Sequence, residues 1–398
     1  MGSNTYRRVL SQSALFSAWN YLLSKSKPTS RNTIGVDDVS INQFQINAIA
    51  NVARLFKDIQ RGNFSFLPLK PYLIPKANGK LRLICVPTVR DRIVQRALVD
   101  FLSSKYHEML ANNVSFGFIK GRSVKQAAEL ACKLRTTRPW VFKTDITSFF
   151  DTIDRGILRA ELRKTIRESS LHEILFSAVE AEVAFTNITA AKHISKLGVQ
   201  PGHGVRQGMP LSPFFSNILL LPFDNHAHCS GACAIRYADD LIFLCHDRDE
   251  CIEMAEFCLK EFEKIGLKIP PVGPDSKSVI YAPHEPAEFL GLELSPAGVK
   301  CELRLSTSQI DRLRSEILSF GSIKELLSRK ITLRTLGQAI SSKRNGYLAA
   351  YDVCTNIEDV SAQLLSLEQK ALRNIYQVAL GIDLTAIGPD ARRFLELQ

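Results

Sequence analysis

The stretch Ala234–Cys245, AIRYADDLIFLC, places two adjacent carboxylates, Asp239 and Asp240, in the middle of an apolar, β-prone run. Burying an ionised carboxylate costs on the order of several kcal/mol unless a cation or hydrogen-bond donors meet it, so such a strand turns at its acids or approaches a positive charge. On these twelve residues alone, a β-turn of paired Asp between two strands is an equally good reading. A second acidic island, WVFKTDITSFFDTI (Trp140–Ile153), repeats the pattern: strand character up to Asp145, then a short turn toward a helix starting near Asp154. If the two strands pair in one sheet, residues 94 positions apart bring their carboxylates to one edge.

Asp clusters that need no Cys or His suit hard cations with oxygen ligands, and magnesium keeps waters and substrate phosphates in its remaining positions. Two such ions about 3.5–4 Å apart can activate an attacking 3′-oxygen and stabilise a leaving pyrophosphate. Thiols and imidazoles give no comparable signal. The nine cysteines are scattered and odd in number, as in a reducing compartment, and the cytoplasm is the expected location. His226, His228, Cys229 and Cys233 crowd into eight residues without the paired spacing of structural zinc sites, and a polar loop is the expectation there.

The chain has 398 residues, 45% of them apolar, enough for two or three structural units. It contains no run of 18 apolar residues, and its N-terminus, MGSNTYRRVLSQSALFSAW, lacks an apolar stretch followed by a small-residue cleavage site; neither membrane insertion nor export is expected. Net charge is +11, unevenly spread. Residues 1–143 carry 23 Lys and Arg against 7 Asp and Glu, whereas the remainder carries 28 against 33. A basic first third ahead of a mildly acidic remainder suggests one face for a polyanion and another that gathers carboxylates.

No internal repeat or low-complexity segment interrupts the chain. Residues 44–62 have helical spacing at Ile46, Ile49, Val52, Ala53, Phe56 and Ile59, with Gly62 as the stop. YLIPKANGKLRLICVP reads as a β-hairpin turning at Asn78–Gly79, with Lys76, Lys80 and Arg82 on a basic finger. TVRDRIVQRALVDFLSSKYHEML reads as a helix whose Arg90, Arg92 and Arg96 either face solvent or meet phosphates. In GVRQGMPLSPFFSNILLLPFD, Gly208, Pro210 and Pro213 make an irregular loop before an apolar helix with Ser212 as an N-cap candidate.

In this order the pieces resemble the reverse transcriptases, specifically the bacterial lineage of group II intron proteins, retron enzymes and free-standing phage-defence and abortive-infection enzymes. The resemblance covers nearly the whole chain. IGVDDVSINQF is similar to the N-terminal extension, GKLRLICVPTVRDRIVQRAL to the first finger motif and SFGFIKGRSVKQAAELA to the second. FKTDITSFFDTI is similar to the first palm motif, RQGMPLSPFFSNILL to the nucleotide-pocket motif and YADD to the catalytic hairpin. FEKIGLKIPPVGPDSKSVIY is similar to the next palm motif, with extra residues before Lys277, and AEFLGLEL to the primer grip.

The resemblance implies an α+β right-hand polymerase, with a palm of antiparallel sheet backed by helices. The expected parts are an N-terminal extension (1–60), fingers (61–139), palm (140–155 and 204–300), connecting helices (156–203) and a helical thumb (301–398). It implies an RNA-directed DNA polymerase with catalytic Asp145, Asp239 and Asp240, which with Ile146 hold two magnesium ions, manganese being a substitute. Lys80, Arg82, Gln207 and Lys277 would meet the nucleotide, and the ring of Phe150 would exclude a 2′-hydroxyl, with ordinary core packing beside Phe149 as the alternative. Ala238 would let the primer end approach, Tyr237 would support the turn, and Phe289, Leu290 and Gly291 would form the primer grip. Arg90, Arg92, Arg96, Lys120 and Arg122 would bind nucleic acid.

The implied partners are a structured non-coding RNA template, deoxynucleoside triphosphates and the DNA product in its RNA–DNA hybrid, with no membrane. The Asn-Ala-x-x-His and Val-Thr-Gly elements of retron enzymes do not occur, and the chain ends at Gln398, before the DNA-binding and nuclease segments of intron proteins. A free-standing antiphage enzyme is therefore the expectation. A retron-type enzyme, an intron-derived maturase or an RNA-binding splicing cofactor are the alternatives, and the intact acidic triad argues against a pure binding role.

Overall fold

The structure is a computed structural model that describes residues 2–75, 81–184, 194, 197–298 and 300–397, with side chains from residue 5 onward. It is α+β, as expected. The chain divides into one unit of Met1–Arg122, Lys143–Phe243 and Ile252–Val279, and another of Ser123–Phe142, Leu244–Cys251 and Ile280–Gln398. Among the described residues the strands form three groups: the pair β1 (Lys70–Pro75) and β2 (Leu81–Val86); a four-stranded sheet; and the meander β7 (Ala287–Phe289), β8 (Leu292–Ala297), β9 (Lys300–Leu305). The four-stranded sheet runs in the order β4 (Ala234–Tyr237), β5 (Asp240–Cys245), β3 (Trp140–Asp145), β6 (Val279–Tyr281).

In the first unit, the helix Val89–Lys105 is a central support. Thr88 caps it, accepting from the Asp91 amide at 3.2 Å, and Ile93, Val94, Leu98 and Leu102 are fully buried. A kink at Tyr106 divides the expected single helix, leaving His107–Leu110 as a separate turn. The helix Gln12–Lys25 packs on this support, and its Trp19 meets Phe44 with ring centroids 4.9 Å apart.

The helix expected over 44–62 is two helices, Ile41–Ile46 and Ala48–Gln60. A capping box at Ser40 starts the first one early, and Asn47, at φ −127° and ψ 41°, ends it. The break shifts the apolar stripe: Val52, Leu55 and Ile59 are buried, but Ile46 and Ile49 are 78% and 73% exposed. The β1–β2 hairpin pairs Lys70 with Val86 and Ile74 with Arg82, as its sequence suggests. Its turn, with Lys76, Asn78, Gly79 and Lys80, lies outside the described residues.

The helix Ser212–Cys229 buries nearly every apolar side chain it carries. Ser212 is not its cap but its first residue, and the Ser212 hydroxyl donates to the Arg206 carbonyl at 2.8 Å. His226, His228 and Cys229 belong to its last turn rather than to a polar loop, with His226 3.1 Å from Glu261.

In the second unit, buried Arg135 at the end of the helix Val124–Arg135 donates to the carbonyls of Ala282, Glu285 and Leu294. The region from 301 onward is not helical throughout. Its first residues complete β9 against β8, because Leu303 and Leu305 alternate inward, before the helices Thr307–Leu318, Leu333–Ala350 and Ile357–Arg373.

Thr88→Val, which removes the cap of a buried helix, should lower unfolding free energy by about 1–2 kcal/mol. Chemical denaturation reports this as a lower midpoint with unchanged slope.

Candidate active site

The sheet order sets β5 beside β3, so the two acidic islands are neighbours. The amide of Ile146 donates to the carbonyl of Asp239 at 3.1 Å, tying the end of β3 to the β4–β5 turn. Tyr237 pairs with Asp240, leaving Ala238 and Asp239 as a two-residue connection. Ala238 adopts φ 59°, a left-handed conformation that costs a non-glycine residue roughly 1–2 kcal/mol. Ser148, at φ 49°, makes a second such bend after β3, just before the short helix Phe149–Thr152.

Asp145 is buried. One carboxylate oxygen, Oδ2, accepts from the Lys277 ammonium, whose own side chain is 73% exposed; the other, Oδ1, is buried without a hydrogen-bond partner. Burial raises the pKa of Asp239 above the ordinary carboxylate value; the charge of Asp145 adds to this, while Lys277 and Arg82 oppose it. Burial likewise raises Asp240, with Lys143 the leading opposing charge.

A desolvated carboxylate with an unpaired oxygen, flanked by two more whose ionised forms are disfavoured, has the donor chemistry of a hard divalent-cation site. Among the described residues, no three His, Cys, Asp or Glu side chains converge closely enough as they stand to hold an ion. Lys277 already occupies one of the oxygens such a site would use.

The loop carrying Gln207 is locked onto its neighbours by main-chain contacts. The Val205 amide donates to the Phe150 carbonyl at 2.7 Å, and a Cβ on Gly204 would come within 2.7 Å of the Phe150 and Asp151 carbonyl oxygens. The Cys85 amide in β2 donates to the Gln207 carbonyl at 2.7 Å, and a Cβ on Gly208, at φ 111°, would lie 2.4 Å from the Cys85 carbonyl oxygen. Phe150 is half-buried beside the buried ring of Phe149, with centroids 5.1 Å apart, and Arg82 is exposed on β2. Lys80 lies outside the described residues.

Several expected phosphate-binding residues have partners within the protein. Arg122 donates to the carbonyls of Ala111, Asn112 and Ser115, and Arg96 pairs with Asp100 and covers the Tyr21 ring at 3.7 Å. Arg90 lies over Phe64 and 3.9 Å from Asp58, and burial lowers the pKa of Arg92. Lys120 is exposed. In the second unit, Leu290 and Gly291 form the β7–β8 turn at φ 56° and 78°, while Phe289 is buried beneath it.

Sequence reasoning missed two groups. Lys143 lies two residues before Asp145 on β3, hence on the same face, a period-2 signal that could have found it. Arg236 in β4 is fully buried and uses all five guanidinium donors. Nε and Nη2 meet the Asp224 carboxylate, Nη2 also meets Ser115 Oγ at 3.0 Å, and Nη1 meets Asn217 Oδ1 at 3.2 Å and the Ala238 carbonyl at 3.1 Å. An arginine two residues before the acidic turn, in an otherwise apolar strand, was its only sequence signal.

A model of the family described as reverse transcriptase (RNA-dependent DNA polymerase) matches residues 74–294. The chain belongs to the reverse transcriptase family. It is 32% identical over 203 residues to Protein YkfC of Escherichia coli K12, covering 50% of each chain. It is 28% identical to the Retron Ec83 reverse transcriptase of Escherichia coli, over 45% of this chain and 54% of that one. With the group II intron-encoded protein LtrA of Lactococcus lactis it shares 27% identity, over 55% of this chain and 34% of that one. The chain thus spans about half the length, or less, of these relatives. A telomerase structure from Candida albicans aligns over 90% of this chain and 68% of its own, with TM-score 0.46 and 12% identity. Among the described residues, no helix is long and apolar enough to cross a membrane.

Because the folded pKa of Asp239 lies above its unfolded value of 3.8, its ionisation opposes folding, and stability falls as pH rises through the interval between the two. Asp239→Asn should therefore raise the thermal midpoint of the metal-free chain by a few degrees at pH 7.5, with the gain shrinking as pH falls and vanishing below about pH 3, where the carboxyl is neutral in the folded and unfolded chain alike. Scanning calorimetry across that range measures it.

Proposed function

We propose that this reverse transcriptase is an RNA-directed DNA polymerase that copies a structured non-coding partner RNA into complementary DNA for antiphage defence. The observation that carries the catalytic reading is the juxtaposition of β3 and β5, with Asp145 Oδ1 buried and unpaired close to two desolvated carboxylates. Asp145, Asp239, Asp240 and the main chain of Ile146 would hold two magnesium ions, or manganese in their place. When bound, such ions neutralise the charge developing on the attacking 3′-oxygen and on the leaving pyrophosphate.

The remaining roles fall to side chains. Arg82, with Lys80, holds the triphosphate, and Gln207 borders the base and sugar from a loop whose backbone is fastened to β2. The main-chain bond from Val205 fastens Phe150 to the same loop, and its ring would block a 2′-hydroxyl. As the 3′-hydroxyl gives up its proton to solvent and its oxygen bonds to the α-phosphorus, the bond to the bridging oxygen breaks and its electron pair leaves with pyrophosphate. Lys277, exposed and able to leave Asp145, supplies a proton to that group. Lys120 contacts nucleic-acid phosphates, Leu290 and Gly291 present the primer end, and the helices after Leu305 follow the minor groove of the RNA–DNA hybrid.

The defence role rests on the resemblance to free-standing members of the lineage. Sequencing the RNA and cDNA that co-purify from the native locus tests it: a dedicated structured RNA with complementary cDNA supports the role, and an intron transcript replaces it with maturation.

With primed RNA template, magnesium and labelled deoxynucleotides, the wild-type chain should extend product and the Asp239→Ala/Asp240→Ala double variant should not; equal labelling by the double variant overturns the catalytic assignment. Phe150→Ala should raise ribonucleotide incorporation relative to deoxynucleotide by about 10- to 100-fold, measured by competition on one template.

A further inference from the structure

We infer that Arg236 is a positioning residue for the catalytic turn, and that its network with Asp224, Asn217, Ser115 and Asn112 governs turnover rather than substrate affinity; this rests on the polymerase reading above. Three separate segments meet on this one guanidinium. The helix Ser212–Cys229 contributes Asn217 and Asp224, the loop at residues 112–117 contributes Ser115, and the hairpin contributes the Ala238 carbonyl. Asn112 joins the first two, donating to Asp224 at 3.1 Å and accepting from the amides of Val114 and Ser115.

The loop reinforces the turn through its own backbone. The Phe116 amide donates to the Arg236 carbonyl at 2.7 Å, the Arg236 amide to the Val114 carbonyl at 2.8 Å, and Asn217 Nδ2 to the Gly117 carbonyl at 3.0 Å. A Cβ on Gly117 would lie 2.3 Å from the Ala238 nitrogen, so the loop main chain presses directly against the turn. Arg122, gripping three carbonyls nearby, holds this loop in place from its other side.

The Nη1 bond to the Ala238 carbonyl carries this scaffold into the residue with φ 59°. Asp239 follows immediately, and its carbonyl is the group that Ile146 holds. If the Ala238 carbonyl is released, the strained turn relaxes and Asp239 moves relative to Asp145. Displacing reacting groups by about 1 Å costs on the order of 100-fold in rate.

Stability alone does not require this arrangement, because a buried ion pair can be replaced by apolar side chains of similar volume without loss of folding. That separates a positioning role from a packing role. The paired variant Arg236→Met/Asp224→Leu should keep the wild-type thermal midpoint within a few degrees, lower kcat by about 100-fold, and leave KM for deoxynucleotide within about twofold. Hydrogen exchange of the peptide spanning residues 234–245 should become faster. Arg236→Lys, which keeps the charge opposite Asp224 but cannot also span to the Ala238 carbonyl, should lower kcat with KM unchanged.

A folded paired variant with wild-type kcat, or one whose loss falls in KM, overturns the inference. If the paired variant does not fold, Arg236→Lys decides: a kcat loss at constant KM supports positioning, and wild-type kcat defeats it. A wild-type chain that extends no primed template would sink the polymerase reading itself, whereas wild-type extension with unchanged kcat in the folded variants would sink the positioning role alone.

Discussion

The arrangement of the acidic turn depends on a charge taken wholly out of water. Arg236 is fully buried, and isolating a guanidinium in an apolar interior would be prohibitive without its partners. Five acceptors meet its five donors, two of them the oxygens of a carboxylate that is itself buried, so the desolvated pair leaves no donor unmet. Such a network accepts one geometry, because loss of any acceptor strands a charged donor. The consequence is local and directional. One of those acceptors is the carbonyl of Ala238, which places a contact of this fully buried guanidinium next to Asp239.

Around this point two of the acids, Asp239 and Asp240, are held against the preference of the folded chain. Burial disfavours the ionised forms of Asp239 and Asp240, and Asp145 keeps one oxygen without a partner. Lys277, Lys143 and Arg82 moderate the repulsion without filling the site, and Lys277 does so from an exposed position that it can leave. Holding Asp239 and Asp240 in this state costs the fold stability, the trade expected where function conflicts with the ground-state fold.

The motifs communicate through main chain more than through side chains. The loop carrying Gln207 is bonded to β2 by the Cys85 amide and to the Phe150 turn by the Val205 amide, and Gly204 and Gly208 are required because carbonyls occupy the space a Cβ would need. Gly117 does the same for the loop against Ala238. Segments distant in sequence are thereby registered to one another at backbone precision, which flexible side-chain contacts would not give.

The amino-acid sequence by itself determined the local chemistry. The acids of β3 and β5, the apolar stripes of the helices Val89–Lys105 and Ser212–Cys229, the β1–β2 hairpin and the order of motifs that marks the family are all carried by residue type and spacing, because periodicity and turn preference act over a few residues. Helix breaks were less legible: Asn47 splits a stripe that spacing alone makes continuous, and β9 opens a segment whose later residues are helical. What only the tertiary structure decided is which polar groups meet. Arg122, expected to meet phosphate, ties a loop together through three carbonyls, while Arg236 and Asp224, unremarked in the sequence, form the buried pair behind the turn. An arginine's role depends on the carbonyls and carboxylates that the rest of the chain brings within about 3 Å, and that proximity is a property of the packed fold rather than of any one segment.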